Sequence, residues 1–585
     1  MTTLPRPLAI LLLLLMALLV FYPLFGPLLF PLKHGFVLQK LSGILIIAML
    51  AMSLDLLVGV AGLVSLGHAA FFGLGGYLLA LMSPDYAAAN VWLVLPATLL
   101  AEAVAAAAIG FLAIRTAGIY FIMVTLAFGQ MGFYLFNDAK FAGGSDGLYI
   151  MVKPVVQVAG VPLLDLADKH VFYYVVLAAA VAVYLALRIL LASPFGRVVA
   201  AIGVNEHRVR GLGFDPARYK LVAFTIGGTV AGLAGFLGAT QYGYVSPTML
   251  SWHHSGEALV MVILGGMGTL FGPVLGAFAF EPGAHGAGIA HRSLAAAHGL
   301  ADHRRSAGAA ARHRRLAAVP VLAPGGGEMM EMAGRPCVLE TRALSKAFGG
   351  LVAVNGISLR FLERQVHAII GPNGAGKSTL VNLLTAHLPP SGGRILLRGR
   401  DVTGLPAHRL PGMGVGRSYQ KTNVFARFSC FENCRLAAQA RLPSSMRFFR
   451  PASAYAQVNR QAEQALALCG LAAKAGRLAG DLSYGEQRQL EIGMVLAGAP
   501  EVLVLDEPLA GMGKEESERM VALLKDLARS YTLILVEHDM DAVFSLADVL
   551  TVMVNGTLLE SGPVELVRGS PAVQDAYLGD GVEAY

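Results

Sequence analysis

The sequence predicts a membrane-embedded all-α domain followed by a soluble α/β domain, and three observations support this. The chain has 585 residues, too many for one ordinary domain. It is 55% hydrophobic and only 14% charged, with a mean hydropathy of +0.61, whereas soluble proteins are about 25% charged. The charge is also uneven, because residues 1–280 hold 13 Lys/Arg and 10 Asp/Glu while residues 330–585 hold 26 and 25. These values exclude a wholly soluble enzyme and a disordered chain.

The first half contains apolar segments of the length that a membrane span requires, about 20 residues each. There are about eight, at 8–30, 41–62, 65–83, 92–114, 117–136, 170–192, 219–241 and 255–280. We interpret the first as a retained span, since the bulky Phe21-Tyr22-Pro23 that follows the apolar run Leu8–Val20 is no signal-peptide cleavage site. The last is interrupted by glycines, so two half-helices are an alternative to one full span.

Loop charge sets the expected orientation. The 193–218 loop is rich in arginine and is therefore predicted to be cytoplasmic. Counting through eight full spans then places both the N-terminus and residue 281 in the cytoplasm. Two acids, Asp55 and Glu102, lie inside predicted spans, where they either line a pathway or make interhelical hydrogen bonds. The second interpretation is the more favoured.

Residues 281–334 fit neither half and separate a transmembrane domain (1–280) from a soluble one (335–585). Positions 281–320 hold 13 Ala, 6 Arg, 5 His and no Lys, without helical or strand periodicity. One interpretation is a flexible linker. The other, which we favour, is an out-of-frame reading of residues 281–328, because a linker does not explain the loss of a further apolar span.

Alternating apolar runs and amphipathic stretches indicate an α/β fold from residue 335 onward. Buried strands are predicted at Val366–Ile370, Val502–Leu505 and Thr532–Val536, and a hairpin with a type I′ turn at Asn555-Gly556. The four cysteines all fall in this half and are expected to be reduced thiols. No basic face interleaved with aromatic residues occurs, so nucleic acid is not an expected partner.

The strongest chemical signal is a phosphate-binding loop between a strand and a helix. Gly371-Pro372-Asn373-Gly374-Ala375-Gly376-Lys377-Ser378-Thr379 matches G-x-x-x-x-G-K-[ST]. Glycines allow backbone N–H groups to surround phosphates at a helix N-terminus. Lys377 would neutralise phosphate charge and Ser378 would ligate Mg²⁺. The domain is therefore predicted to be a P-loop NTPase.

A second element carries two carboxylates at the end of a buried strand. Asp506 stands where a strand terminus can hold Mg²⁺, and Glu507 is free to orient and deprotonate an attacking water. We therefore predict Glu507 and Lys377 as catalytic residues.

Leu482-Ser483-Tyr484-Gly485-Glu486-Gln487 resembles the signature of the ATP-binding-cassette family, 23 residues before Asp506. The resemblance covers residues 339–579 and implies ATP and Mg²⁺ as cofactors. It implies that Ser483, Gly485 and Gln487 act on nucleotide held by a partner cassette, and that Phe348 stacks on adenine. Gln420 would bind nucleotide and metal together with Ser378 and Asp506. His538 would be the switch histidine and therefore a third catalytic residue beside Glu507 and Lys377. Gly513 departs from the family's usual Asp or Asn in the loop after Pro508.

Motifs of the first half resemble permeases of branched-chain (leucine/isoleucine/valine) amino acid uptake. They are Gly67-His68-Ala69-Ala70-Phe71-Phe72-Gly73, Thr125–Gly129, Gly143–Leu148, Ser193–Arg197 and Leu264–Gly268. In such permeases a short cytoplasmic coupling helix docks on the ATPase, and here it would run from Asn205 to Gly213. Replacing Arg208 and Arg210 in it is expected to uncouple ATP hydrolysis from transport.

The two resemblances together imply an amino-acid importer of the bacterial inner membrane, with permease and ATPase fused and the ATPase in the cytoplasm. A second permease subunit, a second ATP-binding subunit that forms the cassette dimer, and a periplasmic substrate-binding protein are the implied partners, besides membrane lipid. Uptake of urea or short amides by similar permeases is the alternative. An exporter half-transporter is less favoured, because it would have six spans and long cytoplasmic helices.

Overall fold

The structure, a computed structural model of the full chain, describes residues 6–29, 33–158, 161–280 and 335–578. The segment 281–334, for which the sequence left two interpretations, lies outside the described residues. The membrane-domain helices are α1 (Arg6–Leu29), α2 (His34–Asp55), α3 (Ala69–Met82), α4 (Val91–Ala113), α5 (Ile119–Asp138), α6 (Lys169–Ala192), α7 (Pro194–Gly211), α8 (Pro216–Tyr242), α9 (Trp252–Gly265) and α10 (272–280).

Each predicted span coincides with at least one of these helices. Within the described ranges, five helices are long and apolar enough to cross a membrane, and α1 and α3 contain shorter apolar stretches. Helix α3 is shorter than the predicted span 65–83. The chain before it is irregular, with Gly62 in the left-handed region at φ 71°, and a Cβ on Gly67 would lie 1.9 Å from the carbonyl oxygen of Thr125.

The last predicted span is two half-helices, α9 and α10, which pack antiparallel. A Cβ on Gly265 would lie 1.7 Å from Gly272 O, and one on Gly276 would lie 1.9 Å from Met261 O. Close backbone contact through small residues is how membrane helices associate. Helix α10 therefore runs back toward the level at which α9 begins. The alternative of two half-helices is confirmed, and the eighth full span is not formed, because the chain reverses between Gly265 and Gly272.

Asp55 holds the turn between these half-helices. Its carboxylate is buried and accepts hydrogen bonds from the N–H groups of Gly268, at 2.7 Å, and Leu270, at 3.2 Å. These contacts support the interhelical hydrogen-bond interpretation for Asp55.

Helix α8 lies at the centre of the bundle and packs against α2, α3 and α4. Its glycines permit the contact: a Cβ on Gly235 would lie 1.7 Å from Phe72 O, and one on Gly232 would lie 2.4 Å from Cγ of Glu102. Glu102 is fully buried against Gly232 of α8, and its two oxygens have no hydrogen-bond partner in the described part of the chain. The interhelical hydrogen bond expected for Glu102 is therefore not formed in this conformation.

Short strands form the face opposite the arginine-rich loop. They are β1 (Leu148–Tyr149), β2 (Val155–Val158), β3 (Val161–Asp165) and β4 (Tyr244–Val245), where β1 pairs with β4 and β2 pairs with β3.

The soluble half contains two sheets. Its strands are β5 (Cys337–Phe348), β6 (Leu351–Leu362), β7 (Val366–Ile370), β8 (Gly392–Leu397), β9 (Arg400–Asp401), β10 (Val415–Arg417), β11 (Val502–Asp506), β12 (Thr532–Val536), β13 (Val549–Val554) and β14 (Thr557–Pro563). The six-stranded sheet has the order β10-β11-β12-β7-β13-β14, with parallel pairs except β13–β14. The other sheet is antiparallel, in the order β6-β5-β8-β9.

These strands confirm the three that the sequence predicts, since fully apolar runs suit a sheet covered on both faces. The predicted hairpin also forms, with Asn555 at φ 48° and Gly556 at φ 78° as a type I′ turn requires. The helices of this half are α11 (Lys377–Leu384), α12 (Cys430–Gln439), α13 (Ala456–Leu468), α14 (Tyr484–Ala497), α15 (Lys514–Ala528), α16 (Met540–Leu546), α17 (Val564–Arg568) and α18 (Pro571–Leu578).

Candidate functional site

The phosphate loop lies between the central strand β7 and helix α11, as the sequence predicts. Gly371, Gly374 and Gly376 have φ values of 153°, 83° and 94°. A Cβ on Gly371 would lie 2.1 Å from Met553 O, and one on Gly376 would lie 2.3 Å from Ala353 O. Only glycine tolerates both a positive φ and a carbonyl oxygen this close to its Cα. The loop thus presents its backbone at a helix N-terminus, where anions bind.

The side chain of Lys377 folds back onto the phosphate loop. Its Nζ donates hydrogen bonds to Gly371 O, at 2.6 Å, and Pro372 O, at 3.0 Å. Burial lowers the pKa of the lysine, and the nearby carboxylates of Glu507 and Asp506 oppose that shift. The ammonium therefore lies between the loop and the two acids. Ser378 and Thr379 follow it in the first turn of α11.

Asp506 ends β11 beside the loop. Its N–H donates to Ser418 Oγ at 3.3 Å, and its Oδ2 lies 3.7 Å from Arg417 Nη2. Its Oδ1 is buried without a hydrogen-bond partner in the described ranges. Burial raises the pKa of Asp506, and Arg417 is the largest opposing influence. An unpartnered carboxylate oxygen at this place fits the oxygen ligand that Mg²⁺ prefers.

Glu507 is held in a strained backbone conformation, with φ 48°. Its Oε2 accepts a hydrogen bond from Gln420 Nε2 at 3.0 Å, and its Oε1 lies 3.2 Å from His538 Nε2. The structure therefore brings together three residues that stand far apart in the sequence. The Glu507 side chain is 16% exposed, so a water molecule can reach it.

The signature residues lie at the start of α14. Ser483 is the N-cap in a reciprocal capping box with Glu486. Its Oγ donates to Glu516 Oε1 at 3.2 Å, and that carboxylate covers Gly485. Gln487 donates to Leu482 O. Within the described part of the chain these residues make no hydrogen bond to the phosphate loop, so Ser483, Gly485 and Gln487 stay predictions for nucleotide held by a partner.

Phe348 lies at the end of β5, next to the turn into β6. Its ring is 46% exposed, and Lys346 Nζ lies 5.3 Å from the ring centroid. The exposed face is available for stacking, and the adenine contact stays a prediction.

The predicted coupling helix is present as the second part of α7. Asn205 is non-helical, at φ −158° and ψ 93°, and divides α7 in two. Its Oδ1 accepts the N–H of Arg208 at 3.0 Å and so caps the second part. Gly213, at φ 105°, follows its end. The short helix lies against the soluble domain, where Gly211 approaches the Tyr419 hydroxyl so closely that a Cβ would be 2.2 Å from it.

The two arginines of this helix have different environments. Arg208 is 1% exposed and donates to Arg417 O at 3.1 Å and Glu491 O at 3.3 Å. Arg210 is half-exposed and pairs with Glu206 of its own helix at 3.1 Å. We expected both arginines to take part in docking. The contacts instead assign the docking role to Arg208 rather than to Arg210. Sequence reasoning missed Glu491, because only the fold brings it beside Arg208.

A second contact joins the first part of α7 to the soluble domain. Arg197 lies 3.7 Å from Glu432, and Gln439 donates to Pro194 O at 3.0 Å. Phe195 packs against Phe448, with ring centroids 4.9 Å apart. The arginine-rich loop therefore faces the soluble domain.

Two histidines meet at this interface. The rings of His207 and His387 lie 5.1 Å apart, and His387 Nε2 lies 3.1 Å from the Tyr419 hydroxyl. Burial lowers the pKa of His387 to about 4, with further lowering by Arg417, His207 and Arg210. His387 is therefore neutral at neutral pH.

We expect His387 to make the folded chain acid-sensitive. Because its folded-state pKa is below the ordinary value of 6.5, the unfolded chain takes up the proton first, and stability falls as the pH decreases from about 6.5 to about 4. The loss can reach about 3 kcal/mol by linkage. Thermal unfolding of the full chain and of His387→Asn across this range checks it. An equally steep decline in both proteins would contradict the prediction.

Comparison with known proteins matches both halves of the chain. A family model described as branched-chain amino acid transport system / permease component matches residues 36–282, and a model described as ABC transporter matches residues 354–510. The chain is 39% identical over 252 residues to the high-affinity branched-chain amino acid transport ATP-binding protein BraF of Pseudomonas aeruginosa. That alignment covers 42% of this chain and 98% of BraF.

The membrane half has its own relative. It is 34% identical over 253 residues to the high-affinity branched-chain amino acid transport system permease protein LivM of Salmonella typhimurium. That alignment covers 40% of this chain and 59% of LivM. Among solved structures, a nucleotide-free ATP-binding cassette from an ABC transporter is 28% identical. The match covers 42% of the present chain and 99% of the solved cassette, with a TM-score of 0.38.

Proposed function

The chain belongs to the ATP-binding cassette transporters of the branched-chain amino acid transport family, and from this membership we propose that it imports branched-chain amino acids with permease and ATPase in one polypeptide. The family places the permease in the inner membrane and the cassette in the cytoplasm, where ATP hydrolysis is coupled to transport. The observation that best supports this proposal is that the permease's own loop docks on the cassette, through Arg208, beside the nucleotide site.

We propose that Glu507 acts as the general base on the attacking water, as its two hydrogen-bonded neighbours suggest. Gln420 and His538 hold its two oxygens and so fix the direction from which it takes the proton. Lys377 would exchange its bonds to Gly371 O and Pro372 O for nucleotide phosphates, because phosphate oxygens are negatively charged whereas these carbonyl oxygens are neutral.

We propose that Asp506, Ser378 and Gln420 hold Mg²⁺, for which the unpartnered Oδ1 of Asp506 is the supporting observation. When bound, this ion neutralises charge on the nucleotide phosphates. The partners we propose are a second permease, a second ATP-binding subunit whose signature residues complete the site, and a periplasmic substrate-binding protein.

Uptake by proteoliposomes tests the function. The full chain is reconstituted with its sister subunits, and labelled leucine is added on the outside with the binding protein while ATP is enclosed. We expect leucine accumulation that requires both. Accumulation of urea or a short amide instead would contradict the branched-chain assignment, and transport in the opposite direction would indicate an exporter.

We also propose that residues 281–328 are an out-of-frame reading of the permease's own C-terminus; if this holds, the native products are two polypeptides, a permease and an ATPase, that carry out the proposed import together. Helix α10 runs back toward the level at which α9 begins, near the face opposite the arginine-rich loop, whereas the cassette that begins near residue 335 docks on the cytoplasmic loop, so a further crossing is needed. The longest run without a charged residue between 281 and 328 is 316–327, shorter than the roughly 18–20 apolar residues of a span. Translation of the coding DNA in the two other frames is expected to give such a stretch, and its absence in both would refute the idea.

A further inference from the structure

Arg208 carries a positive charge from the permease into the interior of the cassette. Its guanidinium is 1% exposed, lies over the Tyr419 ring at 5.4 Å, and approaches Oε1 of Glu491 at 3.6 Å. A buried charge needs a partner of opposite sign, since desolvation of an unpaired one is costly. Glu491 is that partner, and it is fully buried in α14, just after the signature.

Glu491 faces a second arginine on its own helix. Its Oε2 accepts a hydrogen bond from Arg488 Nη1 at 3.2 Å, while its Oε1 also accepts the N–H of Tyr419 at 3.0 Å. Arg488 is 2% exposed. Burial raises the pKa of Glu491, and Arg208 and Arg488 oppose that shift. One buried carboxylate is therefore shared by a permease arginine and a cassette arginine.

Arg488 extends the connection to the nucleotide site. It donates hydrogen bonds to the carbonyl oxygens of Tyr419 and Gln420, and its Nη2 lies 3.5 Å from Glu507 O. Gln420 in turn donates to the Glu507 carboxylate at 3.0 Å. Arg488 thus holds the backbone of Gln420 and of the general base, Glu507.

We propose that Glu491 is a positioning residue through which the permease loop controls the geometry of Gln420 and Glu507. When Arg208 is inserted, two arginines share the carboxylate, and Arg488 keeps its bonds to the carbonyl oxygens. When Arg208 withdraws, the buried carboxylate draws Arg488 toward itself and away from Gln420 and Glu507. The permease conformation thereby sets the rate of hydrolysis, an inference that rests on the proposed function.

The first part of α7 offers a contrast within the same interface. The Arg197–Glu432 pair, at 3.7 Å, is about one-fifth exposed on both sides. Glu432 pairs further with Arg435, and among the described residues no hydrogen bond links this group to Gln420 or Glu507. The Arg197–Glu432–Arg435 group therefore contributes to docking but not to the geometry of the nucleotide site. The Arg208–Glu491–Arg488 group, in contrast, contacts the backbone of the general base, Glu507.

ATP hydrolysis by the full chain assembled with its sister subunits tests the inference. Arg208→Ala is expected to lower kcat roughly tenfold, the scale of an ordinary coupling free energy. The KM for ATP should stay unchanged, because the phosphate loop is untouched. Arg210→Ala, the matched control on the same helix, should hydrolyse ATP as the unmodified chain does. Adding Glu491→Gln to Arg208→Ala should restore most of the lost kcat, since it removes the negative charge that would draw Arg488 away from Gln420 and Glu507.

Hydrogen exchange of residues 418–421 gives a readout independent of turnover. We expect faster exchange in Arg208→Ala than in Arg210→Ala, because Arg488 would no longer hold the carbonyl oxygens of Tyr419 and Gln420 and this segment would open more often. If Arg208→Ala does not fold, Arg208→Lys, which keeps the charge without the planar fork, replaces it and should show a smaller kcat loss.

Unchanged kcat in the Arg208 variants, or losses that simply multiply in the double variant, would overturn the inference. Neither readout depends on which solute is carried or in which direction. A failure of the leucine uptake assay with these results intact would therefore count against the proposed function alone.

Discussion

Replacing Glu507 by Gln is expected to abolish ATP hydrolysis and uptake while ATP binding stays intact. The amide keeps the shape of the side chain and can still accept one of the hydrogen bonds that Gln420 and His538 now donate to the carboxylate. It cannot take a proton from water, and the loss of a general base lowers the rate by about 10²–10⁴-fold. Single-turnover hydrolysis and nucleotide binding by the purified full chain measure the two effects separately.

Glu501→Gln is the matched control for this variant. Glu501 is an exposed carboxylate of the same domain, paired with Arg398 at 2.6 Å, and surface pairs contribute little to stability. We expect it to hydrolyse ATP normally. Near-normal turnover in Glu507→Gln would refute the assignment of the base, and loss of nucleotide binding would show that the residue has a structural role instead.

The parts of the site that the sequence predicts are those built from contiguous residues. The phosphate loop, the strand that ends in Asp506 and the signature are each local, because backbone geometry and the positive end of a helix demand particular residues in a row. The hairpin at Asn555 is of the same kind. Gln420 and His538 could be placed only by resemblance, and the structure then brings both to Glu507.

The buried charge network could not be predicted, because its members are distant in the sequence. Arg208 and Glu491 stand 283 positions apart, and no periodicity relates a permease loop to a cassette helix. The reversal of the chain at Gly265–Gly272 was visible only as an alternative. Glycine runs permit both a broken span and close helix packing, and it is the tertiary contact of Gly276 with Met261 that decides.

Replacing Lys377 by Ala is expected to have the second-largest effect, this time on nucleotide binding. In the structure its ammonium lies against the carbonyl oxygens of Gly371 and Pro372, near the carboxylates of Glu507 and Asp506. Without it, the incoming phosphates would face those carboxylates with no fixed cation in the loop. Charge-assisted hydrogen bonds of this kind contribute about 1.5–3 kcal/mol each, so we expect ATP affinity to fall by about 10–100-fold.

Lys377→Arg separates charge from shape. The arginine keeps the positive charge, but its longer planar fork does not fit a loop in which Gly371 and Gly376 already touch the backbones of neighbouring strands. We expect it to bind ATP nearly as weakly as Lys377→Ala, and titration with a fluorescent ATP analogue measures both. Thermal unfolding without nucleotide should be little changed in Lys377→Ala, because the ammonium's removal leaves only two carbonyl oxygens to be hydrated. Affinity that survives both substitutions would mean that the loop's backbone alone holds the phosphates, and that Lys377 is not part of the nucleotide site.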